Sequence, residues 1–352
     1  MSQELESVDV LIIGAGLSGI GGACQLRRNC PERSFMIFES RAASGGTWDL
    51  FRYPGIRSDS DMYTFSYGFK PWQDASAIAD GAKILNYIRE TAKEYDVERH
   101  IRYQHKVVLA HWSSVEKRWT VTAECGDTGE RVTVSCQFIF SCSGYYDYEQ
   151  GYTPEFVGLS DFQGTVVHPQ QWPEDLDYEG KRVVVIGSGA TAVTLVPTMA
   201  KDTASMVMLQ RSPTYIADVP LEDPTALRLR KWLPAAWASR LTRWKKVLFQ
   251  IYIYQLSRKR PKQLRHFLLS EVRKQLGPDY DVGTHFTPNY NPWDQRLCAV
   301  PNGDMFTAIR EKRAEVVTDH VDEFNATGIL LKSGKQLNAD IIIVATGLNL
   351  KF

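Results

Sequence analysis

The chain has 352 residues, 43% of them hydrophobic and 23% charged, and its 41 Lys and Arg balance its 41 Asp and Glu. That length allows two domains with sizeable cores, and a net charge of zero argues against a nucleic-acid partner. The six cysteines form no C-x-x-C pair and no metal-ligand cluster, so neither a metal site nor a disulfide framework is expected, which suits a reducing cytoplasm. No run of about eighteen apolar residues predicts a transmembrane helix, and the acidic first residues lack the apolar core of a signal peptide.

Residues 8–13 are apolar and mostly β-branched, the pattern of a buried parallel strand. Gly14-Ala-Gly16-Leu-Ser-Gly19 follows, then a helical pattern, then a second strand over 34–38 that ends at Glu39. In this order the glycines let the backbone turn tightly and approach a pyrophosphate, the helix N-terminus faces it, and Glu39 accepts from ribose hydroxyls. FAD or NAD would satisfy this half equally. Next come Gly45-Gly46-Thr47-Trp48 and Tyr53-Pro54-Gly55, with Asp59 and Tyr63 shortly after. Trp48 and Tyr53 could simply pack, whereas a carboxylate just after a Pro-Gly turn has no packing reason to be there.

Residues 83–95 carry helical periodicity, and 107–112, 119–123 and 131–135 read as a small antiparallel meander. A core strand over 138–143 returns to the first sheet. Residues 145–175 read as an interdomain linker, and 182–186 as another buried strand, leading into Gly187-Ser-Gly189-Ala-Thr191-Ala192. Pro197 is expected to kink the following helix or cut it to a turn or two. The next strand, 205–209, ends in Gln210-Arg211-Ser212 with no acidic residue. A cation and a hydroxyl there suit a 2′-phosphate, so this half is predicted to take NADPH. Two dinucleotide folds in one chain mean an electron relay. The acceptor could be a disulfide, a quinone or O2, and the disulfide branch is disfavoured because no cysteine pair has C-x-x-C or C-x-x-x-x-C spacing.

Segment 224–270 holds twelve Lys or Arg, no Asp or Glu, and three tryptophans. Such a surface could dock peripherally on anionic lipid. The plainer expectation is a helical insert whose basic face is solvated or turned to the NADPH phosphates.

Upstream of the second glycine turn stands Phe162-x-Gly164-x-x-x-His168-x-x-x-Trp172-Pro. A lone histidine is usually structural, but here two nucleotide turns flank it at the right distances. The motif resembles the fingerprint of Baeyer–Villiger flavin monooxygenases. The G-G-x-W…Y-P-G…D stretch around Gly46 to Asp59 resembles a second signature of that family, and the resemblance runs from about residue 8 to 352. Asn291–Arg296 and Arg57–Tyr63 are most similar to its thioamide-oxidising branch.

The resemblance implies an α/β protein with two Rossmann-like dinucleotide-binding domains (FAD and NADP), a small antiparallel β meander and a helical insertion. The FAD domain would be 1–145, completed by 338–352. A linker would occupy 146–175, and the NADP domain 176–337, with the insertion at about 220–285. FAD would lie on Gly14, Gly16, Gly19, Glu39, Gly46, Thr47, Trp48, Asp59 and Tyr63. NADPH would lie on Gly187, Gly189, Thr191, Ala192, Arg211 and Ser212. Arg296, held by Asp59, would reach the flavin and stabilise its C4a-peroxide. Relatives have Lys before this arginine where this chain has Gln295, which puts one cofactor contact in doubt. The implied reaction uses O2 to insert oxygen next to a ketone and to oxygenate sulfides or thioamides. Two rivals stand beside it, a heteroatom-only monooxygenase or NADPH oxidase and a non-catalytic nucleotide-binding fragment. The second follows from the expectation that relatives continue past the Ala345-Thr346-Gly347 turn.

Overall fold

A computed structural model describes residues 5–351, and its contacts divide the chain into two compact units. Among the described residues, the first comprises those up to 50, 82–146 and 350–351, and the second 51–81 and 147–349.

The first unit is built on a six-stranded sheet. Its order is Ile101–Arg102, Phe35–Phe38, Glu6–Ile13, Glu130–Ser141, Arg118–Cys125, His105–Ser113. The first four strands run parallel and the last two antiparallel. The expected meander and core strand are one structure. Glu130–Ser141 pairs antiparallel with Arg118–Cys125 along its first half and parallel with Glu6–Ile13 along its second. A single twelve-residue strand can do this because Val134 and Cys136 point into the core that Leu11, Phe38 and Val121 also fill.

The second unit holds a five-stranded parallel sheet, ordered Ala314–Thr318, Ser205–Gln210, Arg182–Ile186, Ile341–Val344, Thr165–Val167. Val-Val-Val-Ile at 183–186 and Ile-Ile-Ile-Val at 341–344 are buried at every position, as parallel strands covered on both faces require. Two expectations change here. The fingerprint segment is no free linker, because Thr165–Val167 pairs with the strand at 341–343. That partner strand, expected to complete the first domain, lies inside the second unit's sheet. The helix after the second glycine turn, Ala190–Met199, runs ten residues despite Pro197. Proline falls in the last turn, where one lost N–H costs little against the burial of Val193, Leu195 and Val196. A three-stranded antiparallel sheet, Val321–Asn325, Gly328–Leu331 and Gln336–Asn338, was not anticipated.

The insertion forms four helices, Pro224–Trp232, Ala235–Lys259, Pro261–Leu276 and Val282–Phe286. Asp223 caps the first by accepting from the Thr225 and Ala226 N–H groups, and Pro224 suits the first helical position. The same carboxylate, 2% exposed, pairs with Lys246 at 2.9 Å and Lys245 at 3.3 Å. Burial works to raise its pKa, but Lys246, the Ala226 N–H and Lys245 outweigh burial and hold it at about 2. Because the folded value lies below the ordinary 3.8, the stabilisation is full above that pH and is lost as pH falls towards 2. Asp223→Asn should therefore cost on the order of 2 kcal/mol at neutral pH. It should also flatten the acid limb of the stability curve, read as melting temperature from pH 7 to 2. Equal acid limbs would remove Asp223 from this role.

Segment 51–81, expected in the first domain, clusters with the second unit. The short helix Met62–Phe65 lies against Ala235–Lys259, and Arg243 donates to the carbonyls of Tyr63 at 3.1 Å and Ser66 at 2.8 Å.

Candidate functional site

In the first unit, the turn after Glu6–Ile13 is shaped by close backbone approaches. A Cβ on Gly14 would lie 2.5 Å from the Cys142 carbonyl oxygen, and one on Gly19 would lie 1.8 Å from that of Gly14. Gly16, which caps the helix Leu17–Asn29, brings no side chain to close its first turn. Glu39 is 5% exposed, and its carboxylate accepts from the N–H of Ala15 at 2.7 Å and of Arg41 at 2.9 Å. The Gly45-Gly46 turn comes against this loop. Gly45 N–H donates to Ala15 at 3.0 Å, and a Cβ on Gly16 would touch Gly46 Cα at 3.5 Å. Thr47 and Trp48 open the short helix Thr47–Leu50. Asp49, 5% exposed, fixes it through Arg41 at 2.8 Å and Arg89 at 2.6 Å. Spacing alone does not single out Arg41 and Asp49, which pair across eight positions, or Arg89, which reaches Asp49 across forty. A helix start capped by glycine, beside two turns narrowed to bare backbone, fits a dinucleotide pyrophosphate, and Glu39 stands where a ribose would be read.

In the second unit, Gly187 has φ +138°, and a Cβ there would sit 2.3 Å from the Ala345 oxygen. Gly189, the cap of Ala190–Met199, has open space where its Cβ would be, and the helix start again lacks a side-chain cap. Ala192 is fully buried, so its methyl fills the place of the third glycine. Ser188 Oγ lies 2.9 Å from Thr214 Oγ1 and donates to Ser212 O at 3.3 Å, tying the turn to the next strand's end. Arg211 and Ser212 are exposed there, and Arg211 makes no ion pair among the described residues. The geometry fits a second dinucleotide with a cation left for a 2′-phosphate. Arg211→Ala should raise KM for NADPH about tenfold or more and leave NADH nearly unchanged. Equal effects on both cofactors would refute that assignment.

Beside this turn the second unit gathers a charged cluster. Arg296 Nη2 donates to Asp59 Oδ2 at 2.9 Å across 237 positions, with both side chains about half exposed. Tyr53 is buried, with its hydroxyl turned to the Thr191 side chain in the helix's first turn. Burial and then the Asp59 carboxylate raise the Tyr53 pKa, opposed by Thr191, Arg296 and Arg57. Cys298 is 1% exposed, and burial pushes its thiol to about 11 although Arg296 opposes. Arg57 is held by Asp304 at 2.5 Å. The approach of Tyr53 to Thr191 and the burial of Cys298 have no signal in the sequence, where Tyr53 offers only packing.

Tyr63 is not brought to this cluster. It is 3% exposed under the insertion, its hydroxyl has no hydrogen-bond partner among the described residues, and the Arg230 guanidinium lies 5.7 Å from its ring.

The fingerprint residues have packing work. Phe162 is buried in the sheet's core with Val184 and Ile342. A Cβ on Gly164 would lie 2.4 Å from the Asp340 oxygen. His168 Nδ1 accepts from the Gln170 N–H at 3.2 Å, so Nε2 carries the proton and donates to Gly347 O at 3.1 Å. Burial lowers the His168 pKa, which keeps this neutral form. Thr346 Oγ1 donates to Tyr152 O at 2.8 Å, so the Ala345-Thr346-Gly347 turn is clamped from two sides. Trp172, half-buried, follows the short turn Pro169–Gln171.

The chain is 56% identical over 347 residues to the FAD-containing monooxygenase EthA of Mycobacterium tuberculosis, covering 98% of this chain and 71% of that protein. It is 51% identical over 345 residues to the probable FAD-binding monooxygenase AlmA of Acinetobacter baylyi, covering 98% and 69%. Among solved structures it resembles an oxidized steroid monooxygenase bound to NADP, with TM-score 0.80, 25% identity and coverage of 98% and 71%. An open cyclohexanone monooxygenase shares the fold at TM-score 0.78, 21% identity and coverage of 98% and 74%. The family model for flavin-binding monooxygenase-like proteins matches residues 7–352, and the chain belongs to that family.

Proposed function

We propose that this chain is an NADPH-dependent FAD monooxygenase that uses O2 to convert a ketone to an ester and to oxygenate sulfides and thioamides. The observation that carries this reading is the Asp59–Arg296 pair beside the second nucleotide turn. The bound cofactors would supply the redox chemistry, hydride from NADPH and oxygen activation at FAD. Gly14, Gly16, Gly19, Glu39, Gly46, Thr47 and Trp48 would hold FAD. Gly187, Gly189, Thr191, Ala192, Arg211 and Ser212 would hold NADPH. Asp59 fixes Arg296 by a charge-assisted bond, so the guanidinium meets negative charge developing on a reacting oxygen without having to reorganise. Tyr53 lies between this cluster and Thr191 of the nucleotide helix. His168 acts at a distance from the charge, by keeping the Gly347 turn in place.

A cytoplasmic location belongs to the same proposal. It is supported by six cysteines that are all free thiols and by the lack, among the described residues, of a helix long and apolar enough to cross a membrane. A peripheral membrane contact through 224–270 belongs to it as well. The test is to load the protein with FAD, desalt it, and follow NADPH oxidation and products with a ketone and with a sulfide. Ester from the ketone supports the reading. Sulfoxide or hydrogen peroxide alone, from flavin-loaded protein, would replace it with a heteroatom oxygenase or an NADPH oxidase.

A further inference from the structure

The helix Ala235–Lys259 is amphipathic the wrong way round for a helix in water. Its inner face is largely polar, with Ala238 buried and Ile253 and Leu256 packed on the core around Tyr215. Ser239, Thr242 and Ser257 are buried, Arg243 donates to two backbone carbonyls, Lys246 pairs with Asp223, and Gln250 Nε2 donates to Asp61 at 3.1 Å. Its outer face is apolar. Trp237, Leu241, Trp244, Leu248 and Ile251 follow one another at spacings of four, three, four and three, each between 46% and 61% exposed. Residues at that spacing form one continuous stripe along a helix. A surface helix ordinarily turns such a stripe to the core. Here the polar groups are satisfied inward and the stripe is left outward, so it needs another occupant.

The charges on the page select that occupant. Segment 224–270 carries twelve cations and no carboxylate. A second copy seated stripe to stripe would set Arg240 and Lys259 against their own counterparts, and segment 224–270 offers no acidic residue to pair them. An anionic lipid surface satisfies both features. Tryptophan sits well at the headgroup boundary, aliphatic side chains reach the acyl chains, and flanking cations meet the headgroups. No helix among the described residues is apolar enough to span, which fits a helix lying in the plane of the surface.

We propose that the outer face of Ala235–Lys259 docks the protein on anionic phospholipid bilayers, with Trp237, Trp244 and Leu248 inserted at the headgroup level. This deepens the peripheral-contact part of the function above and does not depend on the oxygenation chemistry. It also names a substrate class for that chemistry, apolar ketones and sulfides that partition into lipid.

The test is co-sedimentation of the flavin-loaded protein with vesicles of phosphatidylcholine alone or with a quarter of phosphatidylglycerol added. Binding should be at least about tenfold stronger on the anionic vesicles and should weaken as salt is raised. Tryptophan emission should shift to the blue on binding. The triple variant Trp237→Ser, Trp244→Ser, Leu248→Ser should lose binding while keeping its flavin and its circular dichroism, because none of the three residues is buried. Arg240→Glu with Lys259→Glu should lose the preference for anionic vesicles. Three outcomes would overturn the proposal. One is equal binding to both vesicle types. Another is binding to neither, which would leave an acidic protein as the occupant. The third is self-association that the triple variant abolishes. Loss of vesicle binding with intact ester formation would strike this proposal alone, and loss of ester formation with intact vesicle binding would strike only the chemistry.

Discussion

Arg296→Ala should lower ester formation from a ketone by about a hundred- to a thousandfold while the protein still binds flavin and still oxidises NADPH. A fixed cation aimed at developing negative charge is worth that much where it is already positioned before the reaction. The structure supplies the positioning, since the guanidinium is held by Asp59 at 2.9 Å and stays about half exposed. Its charge is therefore available to a ligand and is not consumed in a buried pair. With the arginine gone, oxygen activation should end in hydrogen peroxide, so NADPH consumption and product should part. Asp59→Asn separates positioning from charge. It keeps the arginine and the shape but weakens the tether, and a smaller loss of about tenfold is expected. Arg296→Lys should not rescue fully, because a lysine cannot reproduce the planar fork. Normal ester formation by Arg296→Ala would remove the cluster from the reaction.

How far the sequence could be read follows from the range of each signal. The two glycine turns are local, each a strand, a turn and a helix start within some twenty residues, and the structure forms both. Glu39 follows from the same unit, since it ends the strand beside the first turn. Asp59 stands out locally, as a carboxylate just after the Pro54-Gly55 turn, but its pairing with Arg296 has no local signal. The two are 237 residues apart, and only the likeness of the flanking motifs singles out the arginine. Boundaries read worse. Glu130–Ser141 looked like two strands because its two halves pair in opposite senses with different neighbours. Thr165–Val167 looked like a linker because three residues carry too little pattern, and only the Ile341–Val344 strand beside them makes the sheet visible. Tyr63 stood inside a cofactor motif, yet the insertion, which spacing cannot place, packs over it. For the basic segment the sequence leaves lipid docking beside a basic face that is solvated or turned to the NADPH phosphates, because it counts charges without their directions. The structure turns Arg243 and Lys246 inward and the tryptophans outward.

Gly16→Ala and Gly189→Ala should each leave the fold intact and remove one cofactor. The glycines of the two turns are glycine for different reasons. At Gly19 a Cβ would collide with backbone at 1.8 Å, and at Gly187 at 2.3 Å, so substitution there must damage the fold itself. At Gly16 the added methyl would meet only an ordinary contact with Gly46 at 3.5 Å, and at Gly189 it would meet nothing. Neither position has a positive φ, so backbone strain gives no reason for glycine at either. The space is kept for something the chain itself does not supply. Each residue caps a helix start, where a pyrophosphate needs the backbone close. A methyl that holds the phosphates off by even an ångström should cost on the order of a hundredfold in affinity. Gly16→Ala should emerge from desalting without a flavin band and with an unchanged melting temperature of the flavin-free protein. Gly189→Ala should keep its flavin, be reduced normally by dithionite, and fail to be reduced by NADPH at concentrations that saturate the unchanged protein. The crossed pattern matters more than either loss, since a misfolded variant would lose both cofactors. If Gly16→Ala retained full flavin, or Gly189→Ala were reduced by NADPH as readily as the parent, the open space at that turn would not be a dinucleotide site.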